Sequence, residues 1–351
     1  MNNSFKKPNF TPTMMAAVPY RDMDRAADVI LKCFPEAPCL PIMTRSLRWM
    51  FEGIPCLIID REKKQVLMSP PEERESEVIE FYERVEKDDL DYFATTPQTA
   101  PFFHEMIDRL SQSDASDLKW VIFRTVGPVV LGDTIKQVNG NPSIHHETLF
   151  DIIVKSVSMK ARWLEKKIRE VLPGVDVIAD QPEPSLVGFT SAGGTGSRDD
   201  VIDAVNGGFA GLTCLKWVHC CANIDWSLLT DANIDIINFD AYRYADKAAL
   251  HGGGFKKFIE GGGMIGWGIV PVVEDLLLRE NVKSLSDKLK KGMELFASSG
   301  IDETLLASAS WVLPSCETIL LTPEQSDRAF EMTQEISYIM KDHYGFNRPA
   351  H

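Results

Sequence analysis

The segment WVHCCANIDW (residues 217–226) places His219 and Cys221 two positions apart, with Cys220 between them. Imidazole nitrogen and thiolate sulfur are donors that zinc prefers, at about 2.0–2.1 and 2.3 Å. In an extended chain alternate residues share a face, so His219 and Cys221 point one way and Cys220 the other. A His-x-Cys pair is a weak signal alone, because a free cysteine most often packs as a small buried hydrophobe. Cys316, in LPSCETILL after another apolar run, adds a third soft ligand. Three protein ligands and an open fourth position make a catalytic zinc site. A closed four-cysteine site is disfavoured, since the chain has no Cys-x-x-Cys.

Such ligands need a rigid frame. Eight apolar, β-branched runs read as strands: residues 13–18, 91–96, 118–124, 175–180, 213–219, 233–239, 264–270 and 306–312. Between them lie segments with apolar residues at three-to-four spacing, such as ETLFDIIVKSVSMKARWLEKKIREVL. Thr322 is set as the N-cap of a final helix with Pro323 in its first turn, and Gly300 marks the end of the helix before it. Strands hydrophobic throughout and alternating with helices make a parallel sheet covered on both faces. Eight repeats predict an α/β fold, a (β/α)8 barrel forming one domain over residues 1–351. Residues 55–75 break the rhythm and read as a charged-tip hairpin inserted outside the barrel. In such a barrel the site forms from residues that follow the strands. Here these are Val18-Pro19, Gly127-Pro128, Glu183, His219 with Cys221, Asp240, Pro271 and Cys316.

Bulk composition narrows the classes. A net charge of −14 over 351 residues argues against sequence-independent nucleic-acid binding, which needs a basic surface. No apolar run approaches the roughly 20 residues of a membrane span, and MNNSFKKPNFTPTMM lacks the apolar core of a secretory leader. Seven scattered cysteines read as reduced thiols, and a cytoplasmic protein is expected. The glycine-rich SAGGTGSRDD (191–200) lacks the Gly-Lys-Ser/Thr ending of a phosphate loop. It reads as a rim loop that Ser197 caps into the next helix.

With these residues in place the chain resembles a family. HCC as His-x-Cys, IDIINFDAY and LPSCETILLTPEQSDRAFEM are similar to the C-terminal catalytic barrel of cobalamin-independent methionine synthase. They also resemble the wider uroporphyrinogen decarboxylase-like zinc methyltransferases. MAAVPYRDMDRA, RTVGPVVLG and PEPSL resemble further segments of that barrel, in the right order along nearly the whole chain. The resemblance implies a zinc methyltransferase with His219, Cys221 and Cys316 as ligands and homocysteine as the acceptor. Asp240 takes the place of the family's fourth ligand, a Glu, and is one methylene shorter. Pro182 stands where the family carries the Asp that grips the substrate amino group. Glu183, with Asp180 behind it, is then the candidate ammonium partner, and the backbone at Ala17 the candidate carboxylate donor.

Two departures bear on the methyl donor. The family enzyme has two barrels, so the half that helps hold folate is missing here. The Asp and His that the family associates with acid catalysis are Pro271 and Val273. Methyltetrahydrofolate needs a proton on its leaving nitrogen, a contribution of about 10²–10⁴-fold, whereas methylcobalamin needs none. The expectation is therefore a short methionine synthase taking methyl from methylcobalamin, free or on a corrinoid protein. Trp226 and Trp267 offer flat apolar surface to a corrin ring, or else pack at the rim. The alternatives are another thiol acceptor such as coenzyme M, a folate donor, and a uroporphyrinogen decarboxylase-like enzyme without zinc.

Overall fold

The computed structural model describes residues 6–43, 48–60, 62–63, 65–112, 116–189 and 197–347. Nine strands form among them: β1 (Leu57–Asp60), β2 (Gln65–Met68), β3 (Trp120–Arg124), β4 (Lys136–Gln137), β5 (Asp176–Pro182), β6 (Leu215–Cys220), β7 (Ile236–Phe239), β8 (Met264–Val270) and β9 (Ser310–Pro314). Six of them pair in parallel in the order β3-β5-β6-β7-β8-β9. β3 and β6 to β9 are buried almost throughout, as expected of apolar strands covered on both faces. Their carboxyl ends share one edge of the sheet, which therefore collects Gly127, Glu183, Cys221, Asp240, Pro271 and Cys316.

Of the eight strands expected for the barrel, six form a ladder. Residues 13–18 form no strand. Extended segments around residues 12–17 and 39–42 lie between β9 and β3, touching their neighbours at isolated bridges: Pro12 with Val312, Ala17 with Ile42, and Cys39 with Ile122. Thr13 N donates to Val312 O at 3.0 Å, and Leu40 N to Ile122 O at 2.8 Å. Pro12, Pro19, Pro38 and Pro41 interrupt both segments, and a residue without an N–H cannot continue a ladder. Residues 91–96 are not a strand either. Leu90–Phe93 winds into a 3-10 turn whose Phe93 is buried in a second apolar cluster, a case where a short apolar run does not reveal its geometry. Residues 306–312 divide between the Glu303–Ser308 helix, capped by Asp302, and β9.

Helix boundaries follow local chemistry. Ser197 and Asp200 form a reciprocal capping box at the start of the Arg198–Gly208 helix. Residues 191–196, the rest of the expected rim loop, lie outside the described residues. Thr322 and Gln325 make the same box for Pro323–Tyr344, which ends on Gly345 at φ 74°. The expected hairpin is present: β1 pairs antiparallel with β2, and β2 pairs with β4 in a separate small sheet. Among the described residues, no helix is long and apolar enough to cross a membrane.

Trp226 and Trp267 correct another expectation. Both are fully buried, Trp226 packed on Phe239 and Phe255, and Trp267 on Phe239 and Phe296. Trp267 also donates its indole N–H to Ser310 Oγ at 2.9 Å. Neither ring offers a face to a corrin; both belong to the layer between sheet and helices.

Candidate metal centre

Strand register builds the centre. β6 sets His219 opposite Asn238, and β7 sets Asn238 opposite Gly266 of β8. Asn238 donates through Nδ2 to the Gly266 carbonyl at 2.9 Å, which leaves its Oδ1 to accept from His219 Nδ1. A Cβ on Gly266 would stand 2.8 Å from Asn238 Cβ, so glycine is what admits the carboxamide. With the proton on Nδ1, the lone pair of the neutral imidazole is on Nε2. That nitrogen is buried and has no hydrogen-bond partner.

Cys221 is the first residue after β6, and Cys316 the second after β9. The ligand atoms of His219, Cys221 and Cys316 all lie within 4.8 Å of one another. Tetrahedral zinc sets such donors roughly 3.5–3.8 Å apart, within a side-chain rotation of this spread. The donor set and the orphaned imidazole nitrogen therefore fit zinc. Contact between the two thiols separates them: it holds Cys221 below the ordinary thiol range and, with burial, pushes Cys316 up to about 12. Burial disfavours the His219 imidazolium, but adjacent Cys316 outweighs this and raises its pKa. Cys220 lies in the core, where burial pushes its thiol up to about 12.

The carboxylates at the strand ends take other positions. Asp240 stands outside the three-residue cluster and caps the Ala241–Ala249 helix, accepting from Arg243 N at 3.0 Å. The Arg243 guanidinium is 3.6 Å from its other oxygen, and burial pushes the carboxyl up to about 6. Glu183, expected to be an ammonium partner, is fully enclosed. Its two oxygens accept from the amides of Val129 (2.9 Å) and Val130 (2.7 Å) in the first turn of the Pro128–Thr134 helix. A Cβ on Gly127 would fall 2.3 Å from that carboxylate, which accounts for the Gly-Pro at this turn. Glu183 thus bolts the end of β5 to the neighbouring helix and leaves no oxygen facing a ligand. Asp180 is also buried, paired through Oδ2 with Arg124 Nε at 2.6 Å, while its Oδ1 has no partner.

Beside the cluster is a pocket of about 400 Å³ lined by Ala17, Trp49, Arg124, Pro182, Glu317 and Ile319, among others. Pro182 pairs in register with His219, and Glu317 follows Cys316, so the pocket adjoins the cluster. Ala17 is among the residues that line it. Asn238, Arg124 and Glu317 were missed. The available signal for the first two was a polar residue inside an otherwise apolar strand, IDIINF and WVIFR.

Purified protein is expected to carry zinc by elemental analysis and to lose it in Cys221→Ser and Cys316→Ser variants. Asn238→Ala should weaken zinc binding by about 10–100-fold, as loss of an outer-shell partner does. Unchanged affinity would remove Asn238 from the centre. Glu183 provides a pH test, since burial pushes its carboxyl up to about 8 from an ordinary 4.5. Between those values the folded chain binds the proton that the unfolded chain has released, so this contribution to stability is full below about 4.5 and is lost as pH rises through about 8. Denaturation midpoints should show this decline and Glu183→Gln should flatten it; a slope the variant leaves intact contradicts the assignment.

No protein-family model matches the sequence, and no curated protein matches it. Solved structures do. A B12-independent methionine synthase from Shewanella sp. W3-18-1, in complex with selenomethionine, superposes with TM-score 0.60 at 14% identity, over 95% of this chain and 98% of that one. A structure presented as the vitamin-B12-independent methionine synthase of Listeria monocytogenes gives TM-score 0.61 at 10% identity, over 97% and 99%. These likenesses overturn the expectation of methylcobalamin, whether free or on a corrinoid protein. Both neighbours carry that description at the extent of this chain, so its shortness does not argue for a corrinoid donor. What the chain shares with them is the fold, an α/β architecture on a curled parallel sheet.

Proposed function

We propose that the whole chain is one catalytic domain, a zinc-dependent methyltransferase that forms methionine from homocysteine with a folate methyl donor and no corrinoid. The observation that carries this is the His219, Cys221 and Cys316 cluster at the strand-end rim of a fold shared with B12-independent methionine synthases. Zinc bound there supplies a way to hold the acceptor sulfur as a nucleophilic thiolate at neutral pH. The chain's own residues do the rest. His219, Cys221 and Cys316 hold the metal, and Asn238 fixes the imidazole tautomer that makes His219 a ligand. The adjoining pocket receives the acceptor, with the backbone around Ala17 and the Arg124–Glu317 pair facing its polar end. In this reading the bridged segments beside β9 and β3 complete the barrel around the site.

A folate donor needs an acid, and Pro271 and Val273 cannot supply one. We assign that role to Asp240, the strand-end carboxyl that burial holds at about 6, close to the operating pH. Asp240 then acts beside the metal and not as a ligand to it. Zinc-loaded protein should form methionine from L-homocysteine with methyltetrahydrofolate and not with methylcobalamin. Cys316→Ser should abolish turnover, and Asp240→Asn should lower it by about 10²–10⁴-fold. Methionine from methylcobalamin alone, or from neither donor, contradicts the proposal.

A further inference from the structure

A buried charge triad borders the pocket. Arg124, at the end of β3, is 5% exposed and is shared by two carboxylates, Asp180 on β5 and Glu317 after β9. Its guanidinium meets Asp180 Oδ2 through Nε and Nη2 at 2.6 and 2.5 Å, Glu317 Oε1 through Nη1, and Met15 Sδ at 3.5 Å. One guanidinium against two carboxylates leaves a net charge of about −1, which a cation reaching the group from the pocket would offset. Two oxygens stand ready. Asp180 Oδ1 is buried without a partner, and Glu317 Oε2 makes no hydrogen bond among the described residues. Of the two carboxylates, Glu317 lines the pocket, and its side chain is 33% exposed.

We propose that Glu317, positioned by Arg124, binds the α-ammonium group of the acceptor and so restricts it to amino-acid thiols. This rests on the thiol-methyltransferase reading above. Glu317 is adjacent in sequence to the ligand Cys316, and in an amino-acid thiol the ammonium is only a few bonds from the sulfur. A thiol held at the metal cluster therefore brings its ammonium within reach of the uncompensated carboxylate. A thiol bearing only a sulfonate or carboxylate brings a like charge to the same place and is repelled. Arg124 is fully engaged in aiming Glu317 and Asp180, so it is a positioning residue.

Calorimetric titration of the zinc-loaded full chain with L-homocysteine and its des-amino analogue 4-sulfanylbutanoate tests this without a methyl donor. Wild type should prefer L-homocysteine. Glu317→Gln should weaken L-homocysteine on the order of 10–100-fold, the effect of one charge-assisted hydrogen bond, and leave the analogue nearly unchanged. Glu317→Asp should recover part of the loss. A preference that survives Glu317→Gln, or equal weakening of both ligands, overturns the assignment. Zinc content is read on the same samples, and a Glu317→Gln protein that has lost zinc also overturns it, by placing Glu317 in the metal site. Zinc-loaded wild type that binds neither thiol overturns the thiol-acceptor reading itself and this inference with it.

Discussion

The hydrogen bond from His219 Nδ1 to the Asn238 side chain decides what the strand-end rim can do. It settles which imidazole nitrogen carries the proton, and hence which one faces the two thiols. The bond depends in turn on Asn238 being held by the Gly266 carbonyl, and on Gly266 having no side chain to displace it. Three neighbouring parallel strands thus contribute one residue each to a row that ends at the His219, Cys221 and Cys316 cluster. Parallel register supplies this economically, because residues at the same height on adjacent strands stay together as the sheet twists. Cys221 and Cys316 need only follow their strands directly to arrive at the same place.

Around that row the rim is built from buried carboxyl groups, each tied to a different element. Glu183 binds the first amides of one helix, Asp240 caps another, and Asp180 pairs with Arg124 across β3 and β5. Carboxylates at helix N-termini are favoured by unpaired amides and by the helix dipole, so two of the three also serve as structural fasteners. The Arg124 group differs because its charges do not balance within the protein. It is also the group that opens onto the pocket beside the cysteines. Stability and recognition are thereby divided among carboxylates that look alike in the sequence.

That division marks the limit of what the sequence shows. The His219, Cys221 and Cys316 cluster was legible because three soft donors fell together at strand ends, and the final helix was legible because Thr322, Pro323 and Gly345 punctuate it locally. The strands β3 and β5 to β8 fall close to the apolar runs that suggested them. Residues 13–18 misled because their β-branched character gave no weight to the prolines that break up their pairing and that of residues 38–42. Trp226 and Trp267 misled because a strand-end tryptophan reads the same whether it faces the rim or the helices. The partnership of Arg124 with Glu317 joins residues 193 positions apart, and only folding brings them together. Glu183 was read for its charge, when its amide partners in the neighbouring turn determine its use.

Zinc K-edge X-ray absorption of the purified protein, alone and with L-homocysteine, reads the ligand shell of the centre itself. About one nitrogen near 2.0–2.1 Å and two sulfurs near 2.3 Å are expected in the protein alone, with a third sulfur appearing when the thiol is added. Zinc with no sulfur in its shell, or a sulfur count that L-homocysteine leaves at two, would contradict this expectation.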